Sequence, residues 1–268
     1  MATRKRDGTT VFAAAAVAAA AVALVVTLVL ASGALDGDDG DVAAADEVIV
    51  DLDDGAVADP AADPAAVVAS AADAMAAVTS VEFELERSGA PIFIDEFESL
   101  ALDRLLGQFT VPSRAQAELT ITVDGDLPTK IGAVAIDEEV WISNPVTGDF
   151  ETLPAGFDID PSRFFDPEDG WRPLLANLLD VELVGVDDRG GDRYHIRGTA
   201  PAAEVRNITV GLVTGQDVPV DLWVHPTTGL VTAAEFTTVI DGGESNWQLE
   251  LADYGAAFTI DPPENVRA

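Results

Sequence analysis

Cysteine is absent from this 268-residue sequence. No disulfide can brace the fold and no thiolate can hold a metal, so stability has to come from an apolar core. Histidine is scarce. His195 and His225 each sit inside an alternating stretch, without a second histidine four residues on, and a zinc site would have to be built almost wholly from carboxylates. Lysine is limited to Lys5 and Lys130, and 48 acidic residues against 14 lysines and arginines give a formal net charge of -34. Nothing basic is left to neutralise phosphates, which excludes nucleic acid as a partner and disfavours docking on anionic lipid headgroups. No G-x-S-x-G, no P-loop and no Rossmann glycine fingerprint occurs. Acid pairs such as Asp95-Glu96 and Glu138-Glu139 are what so acidic a chain produces by chance. The reading is a non-enzymatic protein with no cofactor and no metal.

What is present begins with an uninterrupted apolar run at 11–31, preceded by Arg4, Lys5 and Arg6 within a short basic N-terminus, residues 1–10. As a helix the run reaches about 30 Å, the hydrocarbon thickness of a bilayer. Its basic flank keeps the N-terminus in the cytoplasm and sends the rest outside. The run reads equally as a transmembrane helix or as a cleaved signal, since Ser32-Gly33-Ala34 offers small residues at its end. The domain is then held at the cell membrane through residues 11–31, single-pass with an extracytoplasmic body, or secreted. Residues 32–65 carry 11 acids, no base, and Pro60 and Pro64, the composition of an acidic disordered linker. DGDDGD at 36–41 departs from a calcium loop, because Gly40 and Asp41 stand in the reverse of the required order.

One domain remains, 66–268. Val67, Val68, Ala71, Met75 and Val78 recur at helical spacing behind Asp63-Pro64, a helix start signal. Alternating stretches follow, with Phe83 and Leu85; Ala115, Ala117, Leu119, Ile121 and Val123; Val220, Leu222 and Val224; Ala234, Phe236, Thr238 and Ile240; and Trp247, Leu249 and Leu251. Strands with one wet and one dry face make a large antiparallel sheet. Between its halves, Trp171, Leu174, Leu175, Leu178 and Leu179 form a short amphipathic helix. The fold class is α+β: a large curved antiparallel sheet, an unclosed half-barrel, with helices covering its concave face. Residues 90–113 are unusually apolar, with Ile92, Phe93, Ile94, Phe97, Leu102, Leu105 and Leu106. They read as a short extra helix at the sheet edge that could gate the space beneath, or as an insertion that packs down.

The order of segments past residue 66 resembles the LppX/LprA/LprF/LprG family of actinobacterial envelope lipoproteins, which share a LolA-like fold. Six places carry the resemblance. They are the helix running into a strand at 66–89, IDEEVWIS with Thr-Gly-Asp-Phe at 136–150, FFDPEDGWRPLLANL at 164–178, the strand pair at 181–199, and VPVDLWVHPTTGLVTAAEF at 218–236; LADYGAAFTIDPPENV at 251–266 completes it. One departure is that Leu30-Ala31-Ser32-Gly33-Ala34 has the flanks of a lipobox but no cysteine to take the lipid.

The resemblance implies binding and transfer of an acylated lipid or glycolipid, held in a cavity between curved sheet and helices, with a lipid transporter as a further partner. On that basis Phe83, Leu85, Ala117, Leu119, Ile121, Trp141, Leu222, Phe236 and Leu249 are expected to line the cavity wall. Trp171, Leu174, Leu175 and Leu178 are expected to form its lid. The competing expectation is a non-enzymatic extracellular protein-interaction domain with a filled core, in which all of these are ordinary interior residues.

Overall fold

A computed structural model of the chain describes residues 49–52, 55–93, 99–123, 127–137, 139–152, 170–187, 191–208, 213–240 and 243–267. The apolar run at 11–31 and the first half of the acidic segment lie outside the described residues. Among those described, no helix is long and apolar enough to cross a membrane.

The helix expected behind Asp63 spans Pro64–Ala76 (α1). The Asp63 carboxylate accepts the Ala65 N–H at 3.2 Å, and Pro64 fills the first position, where no N–H is needed. Its buried stripe, Val67, Val68, Ala71, Ala72 and Met75, faces the sheet core. Six antiparallel strands follow in order: β1 (Ser80–Gly89), β2 (Leu100–Thr110), β3 (Arg114–Val123), β4 (Leu127–Ile136), β5 (Glu139–Ser143) and β6 (Phe150–Thr152). Helix α2 (Trp171–Ala176) then precedes β7 (Leu179–Asp187) and β8 (Arg193–Ala200). Helix α3 (Ala202–Ile208) leads into β9 (Val218–Val224), β10 (Val231–Ile240), β11 (Gly243–Ala252) and the short β12 (Val266–Arg267). All the strands belong to one open, curved sheet in the order β12-β6-β5-β4-β3-β2-β1-β11-β10-β9-β8-β7.

Register puts one rank of apolar side chains across nearly the whole inner face. Ile131, Leu119, Leu105, Leu85, Leu249, Ala234, Leu222, Ile196 and Leu183 are directly opposed from strand to strand, from β4 to β7. Opposed residues point to the same face, so a one-residue slip anywhere would turn this rank into water. Beside it, the tip of the Phe83 ring lies against Gly107. A Cβ there would come within 2.4 Å of the ring and 2.8 Å of the Gln116 carbonyl, so only glycine fits.

Three expectations are corrected. Residues 100–110 are strand β2, not a helix. A bulge between Leu102 and Arg104 shifts the alternation by one residue, so Leu102 and Leu105 both face inward and mimic helical spacing. The flanks of the insertion pack down: Ala90 N–H donates to the Glu244 carbonyl at 2.8 Å, and Leu102 N–H to the Ile92 carbonyl at 3.0 Å. Second, Trp141 is on the opposite side of the sheet. Val140 and Ile142 face the main core, whereas Trp141 joins Val134, Ile136 and Ile260 in a separate outer cluster. The segment after β11 covers that cluster, held by the Arg114 guanidinium donating to the Ile260 carbonyl at 3.0 Å and by the parallel pairing of β12 with β6. Third, the folded unit starts before residue 66. Val50 N–H donates to the Tyr254 carbonyl at 2.9 Å, Arg193 donates to the Leu52 carbonyl at 2.6 Å, and Ala58 is buried.

Candidate functional site

Two hydrophobic clusters meet on the inner face. The main one contains α1, α2 and most strands; a smaller one contains Ala200, Val205, Val213 and Val218. Leu174, Leu178 and Phe236 pack against both, and a cavity lies along this seam. Its floor is a patch of the sheet: Leu249 from β11, Ala234, Phe236 and Thr238 from β10, Val218, Val220 and Leu222 from β9, and Ala200 from β8. Trp171, Leu174, Leu175 and Leu178 cover it from α2 and the turn after it, and Val205 and Ile208 from α3.

The surface presented is entirely apolar. The one hydroxyl among the lining residues, on Thr238, is engaged in accepting the Trp247 indole N–H at 2.9 Å. Free volume inside is about 80 Å³; counted out through the mouth into solvent, the space between atoms is about 650 Å³. The larger figure falls within the roughly 300–1,000 Å³ of small-molecule sites. The smaller is below the ~150 Å³ of an engineered apolar cavity that takes one benzene. A long chain therefore fits only if the covering helices move off the floor. Helix α3 is attached to its surroundings by exposed hydrogen bonds, Asn177 to Glu204 and the Ala202 N–H to Asp217, each 2.8 Å.

Of the expected wall residues, Leu222, Phe236 and Leu249 lie on this floor, and all four expected lid residues lie over it. Phe83, Leu85, Leu119 and Ile121 are buried in the main core away from the cavity, Ala117 is half-buried beside them, and Trp141 is on the outer face. The floor residues absent from the expected set are Val218, Val220, Ala234, Thr238 and Ala200; the first four continue the same alternations as Leu222 and Phe236, so the period carried their signal, while Ala200 closes β8 outside those alternations. Helix α3 gave none, being a single short piece inside a connection. Gly198 gives a smaller signal: a Cβ there would make ordinary contact with Leu178 at 3.6 Å but press on the Leu179 carbonyl at 3.3 Å, so the glycine eases the close approach of β7 at Leu179.

Both histidines make structural contacts. His195 Nε2 lies 2.7 Å from Asp221, and its ring stacks on Trp223 at 4.6 Å. His225 is buried, and its Nδ1 accepts the Thr227 and Thr228 N–H groups at 3.3 and 3.2 Å, shaping the β9–β10 turn. Among the described residues no group of three or more histidines or acids comes together to hold a metal.

Residues 63–260 of the sequence match the family described as LppX_LprAFG lipoprotein. The chain belongs to the LppX_LprAFG lipoprotein family. LprF from Mycobacterium bovis is 17% identical with a TM-score of 0.58, the match covering 75% of this chain and 96% of that one. LppX from Mycobacterium tuberculosis is also 17% identical, with a TM-score of 0.53, over 75% of this chain and 100% of the other. A LolA superfamily protein from Nitrosomonas europaea is 15% identical over 76% of this chain and 96% of its own, but its TM-score of 0.27 carries no argument. No curated protein matches the chain. Likeness to LprF and LppX at such low identity fixes the fold. In a family described as lipoproteins, this sequence has no cysteine to carry a thioether-linked lipid.

Proposed function

We propose that this LppX_LprAFG protein binds the acyl chains of a lipid or glycolipid in the cavity between α2, α3 and the sheet, and transfers that lipid within the cell envelope. The observation that carries the reading is a cavity with a wholly apolar surface in a member of this family. Each methylene taken from water gains about 0.8 kcal/mol, so a sixteen-carbon chain exposed to water costs roughly 12 kcal/mol. A bilayer will not release such a molecule into water, but a second dry site can receive it at nearly equal free energy. In this proposal the protein is non-enzymatic, works outside the cytoplasm, stays near its membrane through residues 11–31, and hands its cargo to or from a lipid transporter.

Ala234→Phe tests it. Ala234 sits at the centre of the floor, directly opposite both Leu249 and Leu222, and is 3% exposed. A phenyl ring there fills the free volume at an overpacking cost of about 1–3 kcal/mol, which the fold tolerates. Wild-type protein purified without added lipid and extracted with solvent should yield a stoichiometric acylated species, and the variant, folded by circular dichroism, should yield none. The small inner volume of about 80 Å³ favours a second reading, a partner-binding domain with a filled core. A clean apo mass for the wild type, together with failure to take up lipid from vesicles, would select it.

A further inference from the structure

The cavity has a definite boundary on its β1 side. Phe236 lines it, and behind Phe236 stands Trp247, which is buried but touches none of the cavity's free space. The two rings stack at 5.9 Å with their planes 14° apart. Trp247 is fixed at its other edge by the Thr238 hydroxyl, and Thr238 is itself a floor residue. The rank continues from Trp247 to Arg87, directly opposite on β1. Here the rank ends in a charged side chain whose guanidinium is held on backbone and acid. The Arg87 guanidinium donates to the carbonyls of Leu102 and Ala90 and pairs with Asp103 at 2.7 Å, and Thr122 donates to the same carboxylate at 2.5 Å.

Along the row of Phe236, hydrocarbon following the floor from β9 toward β1 therefore meets a stacked aromatic wall and, past it, charged groups it cannot desolvate without cost, while in the neighbouring row the floor ends at Leu249, which is packed on Leu85 of the main core. Resting on the lipid-binding reading above, we infer that the Phe236–Trp247 pair sets the length of hydrocarbon the cavity accepts, with Trp247 acting as a backstop through Phe236 rather than by touching the chain. Removing the indole lets Phe236 fall back and lengthens the apolar floor. A buried tryptophan covers roughly 150 Å² or more, and a methylene corresponds to about 30 Å² of apolar surface. The gain is about five methylenes.

The test is equilibrium binding of straight-chain alcohols from hexanol to tetradecanol to the full chain, read by calorimetry. In the wild type, affinity should rise about fourfold per methylene and then stop at a limiting length. Trp247→Ala should move that limit outward by about five methylenes. An unchanged limit in the variant overturns the backstop while leaving the cavity reading intact. Absence of binding at every length in the wild type overturns the cavity reading itself, and the backstop with it. If Trp247→Ala does not fold, Trp247→Phe decides: the smaller ring leaves room, so a limit longer than the wild type's supports the inference, and the wild-type limit refutes it.

Discussion

Removing one oxygen, in Tyr254→Phe, tests whether the structure describes the interior correctly. Tyr254 is almost fully enclosed, and its hydroxyl donates to the Val231 carbonyl at 2.5 Å with the Met75 sulfur 3.6 Å away. That contact joins α1, β10 and the turn after β11. Losing a buried hydrogen bond costs about 1–3 kcal/mol. Taking about 2 kcal/mol, the melting temperature of a domain this size should fall by roughly 4–8 °C. The pH dependence is the sharper test. Burial pushes the Tyr254 phenol well above its ordinary value of 10.0. Below about pH 10 the hydroxyl is protonated in both folded and unfolded chains, and its contribution is complete. Above that, the unfolded chain ionises while the folded one holds its proton, so stability is lost as pH rises, by about 1.4 kcal/mol per pH unit from this group. The phenylalanine variant lacks that loss. Urea denaturation followed by circular dichroism should show a gap of about 2 kcal/mol near pH 7, shrinking to roughly 0.6 kcal/mol near pH 11. A gap independent of pH would mean that the folded phenol ionises as freely as the unfolded one, and the enclosure around Tyr254 would be wrong.

Gly107→Ala should destabilise by about 1–3 kcal/mol in the same denaturation assay, since its Cβ meets the Phe83 ring; Gly107→Ala combined with Phe83→Leu should recover part of the loss. Trp141→Ala should cost about 3–5 kcal/mol yet leave the amount of extractable lipid per folded molecule unchanged, because Trp141 is on the outer face. Arg193→Met removes the donor to the Leu52 carbonyl, and limited proteolysis should then cut within residues 49–62 at least several-fold faster than in the wild type.

Alternation was enough to read β1, β3 and β11, where one face is wetter and the phase holds, and it served in β10 from Ala234 onward, past the bulge between Val231 and Ala233, and in β9 up to Leu222, before Trp223 and Val224 are buried as well. It failed where phase was broken or doubled. In β2 the bulge after Leu102 made two strand segments look like turns of a helix. In β5, Val140, Trp141 and Ile142 are all buried, and three consecutive apolar residues carry no information about which face Trp141 takes. The candidate site was half legible for a related reason. Side-chain type and period identify the inner face, but the cavity occupies only the part of that face where small side chains meet under short helices. Phe83, Leu119 and Leu222 have the same local signature, and only the packing over them separates core from cavity.

The strand order has a consequence for how the molecule comes into being. Strands β1 to β6 form one meander and β7 to β11 another, and the two are joined at β1 and β11 in the middle of the sheet. Within each half every pairing is between sequence neighbours and can form early. The join brings together residues from opposite ends of the domain, as Leu85 meets Leu249, and its loop entropy must be overcome before its contacts are gained. Leu249 is also part of the cavity floor. Every lining residue, from Trp171 to Leu249, nonetheless belongs to the second half, so the cavity is built within one meander, and the late join to β1 only backs its floor at Leu249 with Leu85.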